Sequence, residues 1–292
     1  MMKSLAVLTA VVLLPGVPVT TMHAQKPEGH YANVNGLRMY YELHAPENGR
    51  PLVLLHGAFS NIDTDFGKML PTLAKTRRVI AVELQAHGRT ADIDRRLTYE
   101  AMADDVAALL GQMRVTNADF LGYSMGGAVA IQVAIRHPAL ARRVVFFGGP
   151  TYSPDGAVPQ LLEFEKTMTA EQMSGTPWHQ AYLKIAPRPQ DFPKLVERIK
   201  ELDLNWRGFP PDALRAIQSP VMLVAGDADV SRLEHVVEFL KLLGGGVAGD
   251  LVGLPRARLA VLPGTTHVTI VERGDWIVQM ALEFFEAEIK AK

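Results

Sequence analysis

One ten-residue segment, ADFLGYSMGG at positions 118–127, constrains the fold more than any other part of the chain. A short apolar run leads into Ser124, and an apolar helical pattern over residues 128–135 follows it. This order predicts a strand, a sharp turn and a helix. Gly122 and Gly126 lack side chains, so strand and helix can approach closely. The Ser124 hydroxyl would then lie at a helix N-terminus, where backbone N–H groups favour negative charge.

Other apolar runs repeat this alternation of strand and helix along the chain. Asn35-Gly36 between two alternating segments predicts a hairpin over residues 31–44. Further strands are predicted at 52–55, 78–84, 143–148, 220–225 and 257–262, and helices at about 63–75, 98–113, 233–243 and 275–287. Strands that alternate with helices indicate an α/β fold with a mostly parallel sheet covered by helices on both faces.

The alternation stops between residues 150 and 219. This stretch is helix-like and irregular, with nine prolines and two of the three tryptophans. We interpret it as a small helical cap inserted into the sheet domain. The predicted organisation is therefore a core made of residues 25–149 and 220–292, with a cap at 150–219.

The first 24 residues have the character of a leader. A lysine at position 3 is followed by an apolar run from Leu5 to Val19, which Pro15 and Pro18 interrupt. This pattern is typical of a secretory signal peptide, and we expect cleavage after Ala24 and export to the periplasm or beyond. The apolar run is too short and too broken by proline for a stable membrane span.

Composition excludes several classes of function. The chain has 30 basic and 31 acidic residues, mixed along its length, and no basic run suited to nucleic acid. It contains no cysteine, which excludes a cysteine nucleophile, a thiolate metal site and thiol redox chemistry. We predict no metal and no organic cofactor.

A serine hydroxyl needs a neighbouring base, usually a histidine oriented by a carboxylate. In parallel sheets such groups lie just beyond the carboxyl ends of strands. Asp229 follows the predicted strand at 220–225, and His267 follows the one at 257–262. Asp227 is the alternative acid, although its place directly after a glycine suits it to bind turn N–H groups instead.

An acyl-transfer reaction also needs two donors for the oxyanion. The N–H of Met125, directly after the serine, is one candidate. The loop after residues 52–55 would supply the other, with Ala58 as first choice and Phe59 as second. We interpret His56 as a structural histidine, because Gly57 turns the chain away after it.

These motifs together resemble those of the α/β-hydrolase fold family, in the order HG at 56–57, GYSMG at 122–126, GDAD at 226–229 and GTTH at 264–267. The resemblance covers residues from about 30 to 290 and implies an eight-stranded sheet, a helical cap and a Ser124–His267–Asp229 triad. The chain looks most similar to the esterase, lactonase and cofactor-free haloperoxidase-like branch. One departure is Ala86, where many relatives have glycine.

The resemblance implies a serine hydrolase that acts on a small carboxylic ester or lactone, without cofactor. Ser124 argues against the dehalogenase and epoxide hydrolase branches, whose nucleophile is a carboxylate. Two alternatives remain open: a hydrolase of carbon–carbon bonds, and a ligand-binding or signalling protein with slow turnover. Perhydrolysis, with hydrogen peroxide in place of water, is a further possible side activity.

The cap carries residues that could line an apolar substrate pocket. With the sheet domain it supplies our four pocket candidates, which are Phe59, Tyr123, Trp178 and Trp206. Other residues could either line the pocket or pack the cap onto the sheet, namely Phe164, Met168, Met173, Tyr182, Phe192 and Phe209.

Overall fold

The computed structural model describes residues 29–44 and 49–288. The predicted leader, residues 1–24, lies outside these ranges. Eight strands form one sheet: β1 (Gly29–Val34), β2 (Leu37–His44), β3 (Arg50–Leu55), β4 (Arg77–Glu83), β5 (Ala118–Tyr123), β6 (Ala141–Phe147), β7 (Val221–Ala228) and β8 (Ala257–Thr266).

The strands are ordered β1-β2-β4-β3-β5-β6-β7-β8 across the sheet. The β1–β2 and β2–β4 pairs are antiparallel, and every pair from β4 to β8 is parallel. The predicted mostly parallel, eight-stranded sheet is confirmed. Because β3, β5, β7 and β8 run in the same direction, the loops that follow them meet at one edge.

Helices cover both faces, as the sequence predicted. The described helices are α1 (Ile62–Phe66), α2 (Leu70–Leu73), α3 (Tyr99–Gln112), α4 (Met125–Arg136), α5 (Pro159–Thr167), α6 (Ala170–Met173), α7 (Pro177–Ile185), α8 (Phe192–Asn205), α9 (Pro211–Ala216), α10 (Leu233–Leu242), α11 (Gly249–Val252) and α12 (Gly274–Glu286). Single turns of 3₁₀ helix occur at Pro154–Gly156 and Pro189–Asp191, and a longer one occurs at Thr269–Arg273.

Alternation along the central strands divides the core into two layers. On β3, Val53 and Leu55 pack toward α3, α4 and α10, whereas Leu52 and Leu54 pack toward α1, α2 and α12. All four side chains are fully buried. A strand covered on both faces is therefore apolar without interruption, which is why this run is easily recognised in the sequence.

Local signals account for several element boundaries. Asn35 and Gly36 both have positive φ, 48° and 82°, as a two-residue hairpin turn requires. The Thr98 side chain accepts a hydrogen bond from the N–H of Ala101 and begins α3. The expected single helix at 63–75 is wrong, because the chain forms α1 and α2 with Gly67 between them. Pro71 has no N–H with which to continue α1 into α2.

Residues 150–219 contain helices α5 to α9 and contribute no strand to the sheet. Their buried side chains, such as Met168, Tyr182 and Leu195, join the hydrophobic cluster on the α3 and α4 face. This segment therefore packs over the sheet edge where the loops after β5 and β7 emerge. Within the described ranges, no helix is both long enough and apolar enough to cross a membrane.

Candidate active site

The turn at Ser124 is held in a strained backbone conformation. Its φ is 50° and its ψ is −117°, between the end of β5 and the start of α4. A side chain at Gly122 would collide with the backbone of Gly126, and one at Gly126 would collide with the carbonyl of Leu55. Strained, non-glycine residues of this kind concentrate at functional sites, where the surrounding structure holds them in place.

A chain of hydrogen bonds links three of the residues predicted from the sequence. Oγ of Ser124 lies 3.0 Å from Nε2 of His267, and Nδ1 of His267 lies 2.8 Å from Oδ1 of Asp229. Because an ionised carboxylate only accepts, Nδ1 of the histidine donates to Asp229, and in the neutral imidazole Nε2 is then the acceptor that faces the serine. This is the arrangement that general-base activation of a hydroxyl requires.

The Asp229 carboxylate is almost completely enclosed. Oδ2 accepts hydrogen bonds from the N–H groups of Gly149 and Gly226, at 2.9 and 3.1 Å, and Oδ1 accepts another from Val230 at 2.7 Å. Burial favours the neutral acid, but the bond to His267 and these backbone donors outweigh it and hold the pKa of Asp229 below its ordinary value. Asp229 therefore faces His267 as an anion.

The alternative acid, Asp227, lies elsewhere. Its two oxygens accept hydrogen bonds from the N–H groups of Gly264 and Thr265, at 2.9 and 3.0 Å. These bonds hold the pKa of Asp227 below its ordinary value and join the end of β7 to β8. Asp227 thus satisfies turn donors, and the structure brings Asp229, not Asp227, to His267.

The loop after β3 passes close to the serine. A side chain at Gly57 would clash with the ring of Tyr123 and touch Cβ of Ser124, so glycine permits this approach. Ala58 and Met125 line the same cavity as Ser124. In the described part of the chain, neither backbone N–H donates to another protein group. Phe59, in the same loop, has a φ of 62°, which is strained for a non-glycine residue.

His56 and Ala86 lie outside the series of hydrogen bonds from Ser124 to Asp229. His56 donates from Nδ1 to the carbonyl of Gly57 at 2.7 Å and accepts the N–H of Leu84 at 3.0 Å. Burial lowers the pKa of His56 to about 3, so the ring is neutral and tethers the end of β3 to the end of β4. Ala86 has a φ of 69°, a conformation that glycine adopts without strain.

Asp65 is a buried acid that the sequence analysis missed. Its Oδ2 accepts the N–H of Gly57 at 2.8 Å, and the hydroxyl of Ser60 also donates to it. Burial raises the pKa of Asp65 to about 6, despite these hydrogen bonds. In the sequence it appears only as a polar position in a weak helical pattern. Its contact with Gly57 makes it the anchor of the loop that carries Ala58.

Ser124 opens into a cavity of about 430 Å³. This volume suits a small organic ligand. All four pocket candidates line it, and so do Phe164, Met168 and Met173. The remaining three candidates, Tyr182, Phe192 and Phe209, are buried in the cap core and are not among the lining residues.

Several polar lining residues were also missed from the sequence, among them Tyr99 on α3, Glu165 on α5 and Asp203 on α8. Nothing in the local sequence marks them, because charged positions on helices usually face solvent. Within the described residues, no group of three or more histidine, aspartate or glutamate side chains could hold a metal ion.

A strand–serine–helix turn followed along the chain by an acid and a histidine is typical of α/β hydrolases. Residues 52–280 match the sequence model of the alpha/beta hydrolase family, and the chain belongs to that family.

Individual relatives differ in chemistry. The chain is 38% identical over 114 residues to an sn-1-specific diacylglycerol lipase of Xenopus laevis, covering 38% of this chain and 35% of the lipase. The match to this chain therefore spans about a third of the lipase's length. It is 33% identical over 201 residues to the 2-hydroxymuconate semialdehyde hydrolase of Pseudomonas sp. (strain CF600), covering 59% of this chain and 70% of that enzyme.

Among solved structures, the enol-lactonase from Burkholderia xenovorans LB400 superimposes with a TM-score of 0.66 at 19% identity. The match covers 88% of this chain and all of the lactonase. At this identity the similarity is one of fold.

Proposed function

We propose that the protein is a serine hydrolase that cleaves a small carboxylic ester or lactone through an acyl-serine intermediate. The observation that carries the proposal is the hydrogen-bonded chain from Ser124 through His267 to Asp229. A mainly apolar cavity at the serine supports it, because a small acyl or alkyl group fits such a space.

In the proposed reaction, Nε2 of His267 takes the proton of Ser124 as the oxygen attacks the carbonyl carbon. The N–H groups of Met125 and Ala58 hold the resulting oxyanion, with Phe59 as the alternative to Ala58. Loss of one such donor typically slows an enzyme about 10²–10³-fold. Collapse of the intermediate breaks the carbon–oxygen bond, and His267 protonates the leaving alcohol. In a lactone this alcohol stays attached to the acyl chain.

Water completes the cycle in the second half of the reaction. His267 accepts a proton from water as the water oxygen attacks the acyl-serine. The carboxylic acid is released, the proton returns to Ser124, and Asp229 orients the ring and stabilises its positive charge throughout. Every proton is exchanged with the substrate or with water, so the proposed reaction needs no external cofactor.

The test is steady-state hydrolysis of nitrophenyl esters of increasing acyl length and of several simple lactones. We expect turnover by the wild-type protein and its loss in Ser124→Ala, with folding unchanged by circular dichroism. Ser174→Ala, an exposed serine in the cap, is the matched control and should keep full activity. Undiminished turnover in Ser124→Ala would refute the assignment of the nucleophile.

Cleavage of a carbon–carbon bond is the second candidate, favoured by the identity to 2-hydroxymuconate semialdehyde hydrolase. It would use the same residues, with a carbanion as the leaving group. Turnover of 2-hydroxymuconate semialdehyde, measured by loss of its absorbance, together with inert esters would favour this reaction. A single burst of about one product per protein molecule on every substrate would favour the slow ligand-binding alternative.

A further inference from the structure

Two acidic residues of the cap, both half-buried, lie at the cavity wall. Glu165 lies on α5 and Asp203 on α8, and both line the cavity that contains Ser124. Within the described part of the chain, neither side chain has a hydrogen-bond or ion-pair partner in the protein. Most of the surrounding wall is apolar, with Leu161, Met168 and Leu202 among its residues.

Burial dominates the electrostatics of the pair. Desolvation raises the pKa of Glu165 to about 7, and desolvation together with the charge of Glu165 raises the pKa of Asp203 well above its ordinary value. Lys166 and Arg207 also line the cavity. Neither lowers the pKa of either carboxyl, and the Arg207 guanidinium donates instead to the carbonyls of Leu204 and Trp206.

Aromatic rings also line this cavity. Tyr99 and Trp206 meet edge to face with ring centroids 5.6 Å apart, and Phe164 and Trp178 add two further lining rings. Burial raises the pKa of the Tyr99 hydroxyl well above its ordinary value, and the charges of Asp203 and Glu165 raise it further. Aromatic faces attract organic cations, and carboxylates strengthen that attraction.

We propose that Asp203 and Glu165 form a subsite for an organic ammonium group on the substrate of this cavity. The inference rests on the proposed function, because it concerns the substrate of that same site. It places the ester or lactone carbonyl at Ser124 and a protonated or quaternary amine at the cap. The ester would therefore belong to an amino acid or an amino alcohol.

The chemistry favours a cation over a neutral group. A protonated amine carries up to three donors, enough for both carboxyls, while the aromatic walls contact its alkyl part. An alkyl group in its place would leave two polar groups buried without partners, which is unfavourable. Binding a cation favours the ionised carboxyls and so releases protons. Affinity should therefore rise with pH through about 7, until the amine itself loses its proton.

Binding can be tested without turnover by calorimetry on the intact protein. The probes are hexylammonium, pentyltrimethylammonium, hexan-1-ol and hexanoate at pH 6, 7 and 8. We expect both cations to bind about tenfold or more tightly than the alcohol at pH 8, with hexanoate weakest; tenfold corresponds to about 1.4 kcal/mol. Hexylammonium should bind more tightly at pH 8 than at pH 6 and release protons, shown by repeating the titration in buffers of different ionisation enthalpy.

Isosteric variants assign the effect to the two carboxyls. Asp203→Asn and Glu165→Gln should each lose most of the preference for the cation over the alcohol. The matched controls, Glu197→Gln on α8 and Glu163→Gln on α5, change exposed acids on the same helices and should keep it. If either pocket variant fails to fold, binding of hexylammonium and hexan-1-ol to the wild-type protein at pH 6, 7 and 8 still tests the inference.

Two results would overturn the inference: hexan-1-ol binding as tightly as hexylammonium to the wild-type protein, or full preference for the cation in both pocket variants. These results are independent of the proposed function. Absence of ester turnover with selective ammonium binding would remove the hydrolase proposal and keep the subsite. Turnover of neutral esters without ammonium selectivity would do the reverse.

Discussion

The hydroxyl of Tyr123 donates a hydrogen bond to the carbonyl oxygen of His267 at 2.8 Å, and the two rings stack with their centroids 5.4 Å apart. Tyr123 is the residue immediately before Ser124. A single side chain from the end of β5 therefore holds both the backbone and the ring of the histidine that contacts the serine. This contact makes Tyr123 a positioning residue as well as part of the cavity wall.

We expect Tyr123→Phe to keep the ring stacking and remove the hydrogen bond. A lost buried hydrogen bond costs about 1 kcal/mol, so kcat for ester hydrolysis should fall roughly fivefold with little change in KM. The measurement is steady-state kinetics, with urea unfolding in parallel. Tyr31→Phe, an exposed tyrosine on β1, is the control. Reduced stability with unchanged kcat would show that the hydroxyl has no role in positioning.

Substitutions at Asp229 and Asp227 should have different effects, the first on activity and the second on stability. Asp229→Asn leaves His267 without its anionic partner, and turnover should fall about 10³–10⁴-fold. Asp227→Asn should keep turnover and lower the melting temperature, because an amide N–H₂ would face the N–H donors of Gly264 and Thr265. The pair is compared by ester kinetics and thermal unfolding. The opposite pattern would assign the acid role to Asp227.

Asp65 should make stability depend on pH. Its pKa is about 6 in the folded protein and ordinarily 3.8, so the folded state holds the proton more tightly. Between pH 4 and 6 the unfolded chain loses this proton first, and the contribution of Asp65 to stability falls by roughly 3 kcal/mol as pH rises. It stays at the lower level above pH 6.

The measurement for Asp65 is urea unfolding of the wild type and Asp65→Asn from pH 4 to 7. The wild type should lose unfolding free energy relative to Asp65→Asn as pH rises from 4 to 6. Asp94→Asn, an exposed aspartate, should give a nearly constant difference and serves as the control. A constant difference for Asp65→Asn would contradict the raised pKa.

Arg114 offers a stabilising change away from the site. It follows the end of α3 with a φ of 55°, and the N–H of Val115 bonds to the carbonyl of Leu110 as in a Schellman ending. A left-handed conformation costs a non-glycine residue about 1–2 kcal/mol, part of which glycine loses again through unfolded-state entropy. Arg114→Gly should therefore raise the unfolding free energy by about 0.5–1 kcal/mol without altering activity.

The control for this prediction is Arg114→Ala, which removes the long side chain but keeps Cβ. It should give no comparable gain in urea unfolding. Equal stabilisation by alanine and glycine would mean that the guanidinium, not the backbone conformation, limits stability at this position.

The sequence by itself determined those features of the fold that depend on local residue patterns. The run of apolar residues into Ser124, the hairpin at Asn35-Gly36 and the cap at Thr98 each depend on neighbours within a few positions, and the structure contains all three features. The mostly parallel sheet follows from the same patterns because buried parallel strands are continuously apolar, and the resemblance to α/β hydrolases implied its eight strands. The sequence also predicted that Asp229 and His267 lie just beyond strand ends.

Only the tertiary structure decided which polar residues are withdrawn from water and what they face. The bulge between β7 and β8 directs Asp227 to turn N–H groups and leaves Asp229 for His267. Asp65 and Asp203 look like ordinary helix positions in the sequence. Elements distant along the chain pack over Asp65 and bury it, and the cap helices place the half-buried Asp203 at the cavity wall. Desolvation is a property of that packing, so no local pattern could reveal it.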